Sequence, residues 1–166
     1  MLQPVVRRTW APRGCTPIHY SWDRRDRVSV ISAITVSPRR QRLGLYFALQ
    51  PCNVRTPQFE TFVSEILAHL RHGLILVLDR WQVHRSAARR LLHRFPRRLQ
   101  VEWLPPYAPQ LNPVEQVWAQ AKYHDLANFL PRDATDLHHA VEQSLQQTGT
   151  QQSLLRSFFK HAQLRL

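Results

Sequence analysis

Two acidic residues in this 166-residue chain stand where carboxylates can be held for chemistry. Asp79 closes an apolar run, Leu74-Ile75-Leu76-Val77-Leu78, with the composition of a buried strand. The carboxyl ends of strands in open α/β sheets are where ligands bind. Glu115 follows Asn112-Pro113-Val114, at the end of a loop with three prolines in five residues, Pro105-Pro106-Tyr107-Ala108-Pro109. Such a loop is stiff, and a stiff mount is what a metal-holding carboxylate requires. Each residue also has plainer employment. An aspartate after a strand accepts amide hydrogens in the next turn. Asn112, Pro113 and Glu115 occupy cap, N1 and N3 positions of a capping-box-like helix start, where the helix dipole alone favours glutamate. The two roles of Glu115 are compatible, one oxygen facing the cap and the other a metal.

Supporting residues surround both acids. His84, five positions after Asp79, reads either as a helix-start histidine or as a contact at the edge of the site. Lys122 is seven positions after Glu115, on the same helical face, and either touches a phosphate or is solvated. Trp118, three positions after Glu115, fits the core. Arg85, Arg89, Arg90, Arg94, Arg97 and Arg98 make a dense basic segment, for phosphates or for solvent. His138-His139 show no metal-ligand spacing and read as surface residues.

The chain carries 23 basic and 11 acidic residues, net +12, with only Lys122 and Lys160 as lysines. An Arg-rich composition partly reflects codon usage in GC-rich genomes. The charge as a whole favours a polyanion, because basic side chains displace counterions condensed on phosphates. The longest wholly apolar run is those five residues, against about 20 for a membrane-spanning helix. The start, Met1-Leu2-Gln3-Pro4, lacks a secretory pattern. Cys15 and Cys52 have no Cys-x-x-Cys spacing, which fits a reducing cytoplasm. A 43% hydrophobic content argues for one folded domain over residues 1–166.

The elements that must position these residues follow from periodicity. After an irregular segment, Met1 to Arg27, the run Val28 to Val36 alternates with apolar or small residues on both sides, as a strand covered on both faces would. Ser37-Pro38-Arg39-Arg40 is a turn, and Leu43, Leu45, Phe47 and Leu49 complete a hairpin. Thr56 as cap and Pro57 start a helix carrying Phe59, Phe62, Val63, Ile66, Leu67 and Leu70, ended by Gly73. Leu74–Leu78 is a buried strand. Arg85 to Phe95 is a basic helix with Leu91, Leu92 and Phe95 toward the core, and Leu99 to Leu104 is another strand. Helices start at Asn112-Pro113 and cover Asp133 to Gln147 and Gln151 to His161. The result is a layered α/β domain.

The combination of segments is more specific than any part. Asp79-Arg80-Trp81-Gln82-Val83-His84-Arg85, then Leu104-Pro105-Pro106-Tyr107-Ala108-Pro109-Gln110-Leu111-Asn112-Pro113-Val114-Glu115, with Trp118 and Lys122 downstream, closely resembles the DDE-type transposases of bacterial insertion sequences in the mariner-like superfamily. Their signature is a strand ending in Asp, a His five residues on, Leu-Pro-Pro-Tyr-Ser-Pro-x-Leu-Asn-Pro-Ile-Glu, Trp and Lys. The 36-residue separation of Asp79 and Glu115 fits, and Arg8-Thr9-Trp10-Ala11-Pro12-Arg13-Gly14 resembles the segment after the family's first strand.

The resemblance implies a ribonuclease-H-like fold, a mixed central sheet flanked by helices, in which three carboxylates hold two Mg²⁺ ions, with Mn²⁺ as a substitute. One ion would activate the attacking oxygen and the other stabilise the leaving oxygen. Asp79 and Glu115 take the places of the second and third acids, as catalytic and metal-holding residues. His84, Arg85, Arg89 and Lys122 would face DNA, with Tyr107, Asn112 and Pro113 in support. The implied activity is hydrolysis at an element end and transfer of the 3′-hydroxyl to target DNA, in a bacterial cytoplasm at the nucleoid.

The chain departs from the family in one central respect. The first acid belongs to an Asp-Glu-Ser-Gly-Phe-like segment that has no counterpart here, nor has the helix-turn-helix domain. Asp23 and Asp26 follow the Trp-Ala-Pro-Arg-Gly segment and do not align with that acid. The expectation is a catalytic domain truncated at its amino terminus, lacking all or part of the first strand and inactive alone. A second reading is a non-catalytic, basic DNA-binding remnant acting as a homo-oligomer or by assembly with a full-length transposase. Ala108 for Ser, Gln110 for an acid and Arg80-Trp81 alter the surface beside the site. The Pro-Tyr-x-Pro-x-Leu-Asn-Pro-x-Glu wording disfavours a third reading, a ribonuclease or resolvase on the same fold.

Overall fold

The alternating run after residue 28 folds as the hairpin its pattern dictates. In the computed structural model, which describes residues 5–18 and 27–166, β1 (Ser29–Val36) pairs antiparallel with β2 (Leu43–Gln50), Ser29 opposite Gln50 and Val36 opposite Leu43. The turn is closed by the Ser37 amide donating to the Arg42 carbonyl at 2.9 Å, and by the Ser37 hydroxyl accepting the Arg42 amide at 3.0 Å. Both faces are covered, as the two-sided apolar pattern requires. Ile31, Ala33, Tyr46 and Ala48 pack into one core with the helix that follows. Val28, Val30, Ile34, Leu43, Leu45 and Phe47 pack into a second core with the carboxyl-terminal helices.

That next helix, α1 (Thr56–His69), buries Phe59, Phe62, Val63, Ile66 and Leu67. Thr56 is its first residue rather than its cap. The Arg55 amide is satisfied by the Gln58 side-chain oxygen at 3.1 Å. The helix stops at His69, before Gly73, and its last carbonyls are taken by an arginine from far along the chain. The Arg98 guanidinium donates to the Leu67 and Leu70 carbonyls, both at 2.7 Å. The strand β3 (Leu74–Leu78) has the expected bounds but is buried on one face only. Leu76 and Leu78 are inside, while Ile75 is 63% and Val77 56% exposed.

Helix α2 (Gln82–Arg94) begins three residues before the expected Arg85 and buries Ala87, Ala88 and Leu91. Leu92, expected toward the core, lies on the exposed side. Its neighbour Leu91 occupies the inward position, and the next residue of a helix turns ~100° away. Strand β4 (Leu99–Trp103) pairs in parallel with β3, Leu74 opposite Leu99 and Leu78 opposite Trp103. Then follow α3 (Val114–Gln120), a π-helical turn (Ala121–Asp125), α4 (Ala134–Thr150) and α5 (Gln152–His161). Asp133 caps α4, its side chain accepting the Asp136 amide at 2.7 Å. Val5 forms a parallel bridge with Ala127, and the Arg7 amide donates to Asn128 Oδ1 at 2.7 Å. Met1 to Pro4, Asp23 and Asp26 lie outside the described residues.

Among the described residues the four strands do not join into one sheet. They form two separate pairs, β1–β2 and β3–β4. A cleft of about 2270 Å³ is lined by every residue of β1 and β3 and by none of β4.

Candidate active site

Asp79 is placed by β3, whose parallel pairing with β4 fixes the level at which the strand ends. Its Oδ1 accepts the Trp81 amide at 3.0 Å, the turn bond expected of a strand-end aspartate. The same oxygen bonds His84 Nδ1 at 2.6 Å. With Asp79 ionised, Nδ1 is the donor and His84 Nε2 is left as an acceptor. The imidazole is held between two aromatic rings, Phe59 at 4.5 Å and Trp81 at 5.2 Å between centroids. His84 thus lies inside the first turn of α2, its side chain only 17% exposed against 46% for Asp79.

Glu115 is placed by the start of α3. Asn112 Oδ1 accepts the Val114 amide at 3.2 Å, and the Asn112 carbonyl accepts the Glu115 amide at 3.1 Å. The cap position of α3 is therefore Pro113, one residue later than expected, and Asn112 acts just before it through a turn bond to Val114. Asp79, His84, Asn112, Pro113, Glu115 and Lys122 all line the cleft, as does Trp118, which is half-buried against the second core. The Glu115 carboxyl titrates above its usual value, first because the walls around it remove water and second because the Asp79 charge repels its own. Glu115 still reaches solvent, so it sits at the mouth of a concavity rather than in a sealed pocket. Two carboxylates brought within mutual repulsion suit a hard divalent cation, which takes oxygen ligands and reverses that repulsion.

Other expected residues fall elsewhere. Arg85 and Arg89 are exposed on α2 and do not line the cleft; Arg85 donates to Gln82 Oε1 at 2.6 Å. Arg90 pairs with Glu60 at 3.2 Å. Arg98 lies beyond the basic helix, and its Nη2 donates to carbonyls at the end of α1. Tyr107 is fully exposed outside the cleft, at a left-handed φ of 57°. The cleft wall includes cations not singled out from sequence, Arg40, Arg42, Arg71 and Arg165, which are too scattered in the chain to signal one site. His138 and His139, read as surface residues, present ligand atoms together with Glu142, which the sequence reading did not single out, all within 4.8 Å of one another on α4. The His138–Glu142 spacing of four residues was the available signal. This group does not line the cleft.

The family model describing the DDE superfamily endonucleases matches residues 1–138. The chain belongs to that family. Membership implies use of divalent metal by DDE endonucleases, in keeping with the carboxylate pair. The fold also matches a chain in the crystal structure of the Mos1 strand transfer complex, with a TM-score of 0.60 and 13% identity, over 98% of this chain and 47% of that one. The DDE chain therefore spans about half the length of that neighbour. The likeness establishes a ribonuclease-H-like fold for this DDE domain. No curated protein matches the sequence, and no helix among the described residues is long and apolar enough to cross a membrane.

Proposed function

We propose that this chain is the catalytic part of a DNA transposase, in which Asp79 and Glu115 jointly hold a divalent cation for phosphodiester hydrolysis and strand transfer at insertion-sequence ends. The observation that carries this reading is the convergence of two carboxylates, 36 residues apart in sequence, on one cleft of a DDE endonuclease. The neighbour's description as a strand transfer complex supports DNA as the partner. Bound Mg²⁺, or Mn²⁺ in its place, would supply Lewis-acid stabilisation of charge on the phosphoryl oxygens.

The chain's own residues do the positioning. His84 holds Asp79 through Oδ1, which leaves the second carboxylate oxygen for the cation. Asn112 and Pro113 fix the first turn of α3 and so the height of Glu115. Lys122, on the cleft wall, meets a phosphate of the bound strand. Arg85 and Arg89 attract the duplex from the outer side of α2, and their contribution is screened by salt.

Asp79 and Glu115 are the only acidic side chains that line the cleft among the described residues. Two carboxylates position two cations poorly, so the 166-residue chain alone cleaves little or no DNA. Purified chain is expected to bind duplex DNA in a salt-dependent way without nicking it in millimolar Mg²⁺ or Mn²⁺. Robust metal-dependent cleavage, lost in Asp79→Ala, would refute the inactivity while keeping the site. The second reading, a non-catalytic DNA-binding remnant working through a full-length transposase, draws on the same carboxylate count and the net charge of +12. Under it, Asp79→Ala and Glu115→Ala alter neither cation binding nor any mixed assembly.

A further inference from the structure

The outer side of α4 carries a second group of side chains with metal-ligand chemistry. His138, His139 and Glu142 each offer one ligand atom there, and the three atoms lie within 4.8 Å of one another. Helical geometry brings them together. Residues three and four apart are neighbours on a helix surface, so Glu142 stands beside both His139 and His138. The two imidazoles are edge-on to each other, 6.1 Å between centroids and 86° between planes. His138 and Glu142 are half-buried and His139 is exposed, so an ion can enter from solvent. The mount is firm. Asp133 caps the start of α4, and Leu137, Val141 and Leu145 seat the helix in the second core. Asp136, the next acid toward the cap, is taken up by Arg132, whose amide donates to it at 3.0 Å and whose guanidinium donates at 3.3 Å. Glu142 accepts the Gln146 side-chain amide at 3.5 Å, a long bond that leaves most of its carboxylate lone pairs for a cation.

We propose that His138, His139 and Glu142 form a site for one transition-metal ion of the zinc class. Two imidazoles and a carboxylate suit zinc, whereas magnesium takes oxygen ligands and keeps several waters. The site thus differs in chemistry from the Asp79–Glu115 pair, which offers oxygen alone, and it does not line the cleft. Zinc bonds of about 2.0–2.1 Å set tetrahedral ligand atoms about 3.3 Å apart. From separations of at most 4.8 Å, that spacing is reached by side-chain movements of about 1.5 Å or less, with no change of backbone. Three protein ligands leave a fourth position for water or an outside ligand. The consequence for the chain is mechanical. Ligands from two successive turns clamp the first half of α4, and α4 packs on β2, so a bound ion stabilises the fold around the second core. This inference goes beyond the proposed function and does not rest on it.

The test titrates the untagged 166-residue chain with Co²⁺, followed by its visible absorption, and then adds Zn²⁺ as competitor. Expected is one bound Co²⁺ that Zn²⁺ displaces and a large excess of Mg²⁺ does not. His138→Ala, His139→Ala and Glu142→Gln, each shown to be folded by circular dichroism, should each weaken binding about tenfold or more, at least the cost of losing a group that merely orients a ligand. Zn²⁺ at about 100 times its Kd should raise Tm by about 5 °C or more and slow amide exchange in α4. Both effects should vanish in the double variant His138→Ala/Glu142→Gln. The double variant Asp79→Ala/Glu115→Ala should keep the Co²⁺ spectrum and the Zn²⁺-dependent Tm, so failure of this site and failure of the cleft pair are read independently. Undiminished binding in all three single variants, loss of the ion with Asp79→Ala/Glu115→Ala, displacement by Mg²⁺, or a Tm indifferent to Zn²⁺ would overturn the proposal.

Discussion

Asp79 Oδ1 and His84 Nδ1 lie 2.6 Å apart across the first turn of α2, and the same aspartate oxygen accepts the Trp81 amide. The strand end and the helix start are thereby locked together. A carboxylate with one oxygen pinned twice is oriented, so its other oxygen has a defined direction. Removing the histidine should loosen that orientation without unfolding the chain, since the ring is one contributor to a larger core. His84→Ala is expected to weaken Mn²⁺ binding about tenfold or more, the usual cost of losing a group that orients a metal ligand. Electron paramagnetic resonance of free Mn²⁺ checks this, with circular dichroism confirming the fold.

Arginines of one basic segment should separate by function. Arg98 donates to carbonyls at the end of α1, so Arg98→Met is expected to destabilise the chain by about 2 kcal/mol and leave DNA affinity at fixed salt unchanged. The double variant Arg85→Ala/Arg89→Ala should do the opposite. Its Tm should match the parent's, while the slope of log affinity against log salt falls by about 2, one for each phosphate no longer neutralised. Urea unfolding and DNA titrations at several salt concentrations distinguish the two.

Tyr107 pays for its backbone. It is fully exposed, so its ring contributes no packing, yet it holds φ at 57° between flanking prolines. A non-glycine residue in that region costs about 1 kcal/mol or more. Tyr107→Gly should therefore leave Tm equal or higher, whereas Tyr107→Val, β-branched at the same φ, should lower it. Differential scanning calorimetry reads both.

The start of α4 supplies a pH dependence. Bonds from Arg132 hold the Asp136 carboxyl below its ordinary value of 3.8. A depressed carboxyl stabilises the fold above its unfolded value, and that contribution disappears as pH falls through the folded one. Asp136→Asn should therefore lower the urea midpoint by the same amount at pH 7 and pH 5. The difference should shrink below about pH 4 and vanish at lower pH.

Much of this architecture was legible in the sequence. The hairpin was visible because Val28 to Val36 is apolar on both faces, and both faces are indeed covered. Asp79 and Glu115 could be singled out because each follows a segment that stops an element abruptly, β3 in one case and the proline loop in the other. What sequence could not give was which arginine faces what. Arg85 and Arg98 look alike in a basic run, and only tertiary folding brings Arg98 under the end of α1. The exposure of Ile75 and Val77 was equally hidden, since an apolar run does not say whether a helix covers its second face. That the described strands form two separate pairs is hidden for the same reason: alternation reports the faces of a strand, never its neighbours.

The central claim is that Asp79 and Glu115 bind one cation together, and a double-mutant cycle measures it most directly. Mn²⁺ affinity is determined by calorimetric titration for the parent chain, Asp79→Ala, Glu115→Ala and the double variant, all on a Glu142→Ala background that removes the separate group on α4. Shared coordination predicts that either single change lowers the affinity as far as both together. Full affinity in both single variants, or losses that simply add, would contradict it.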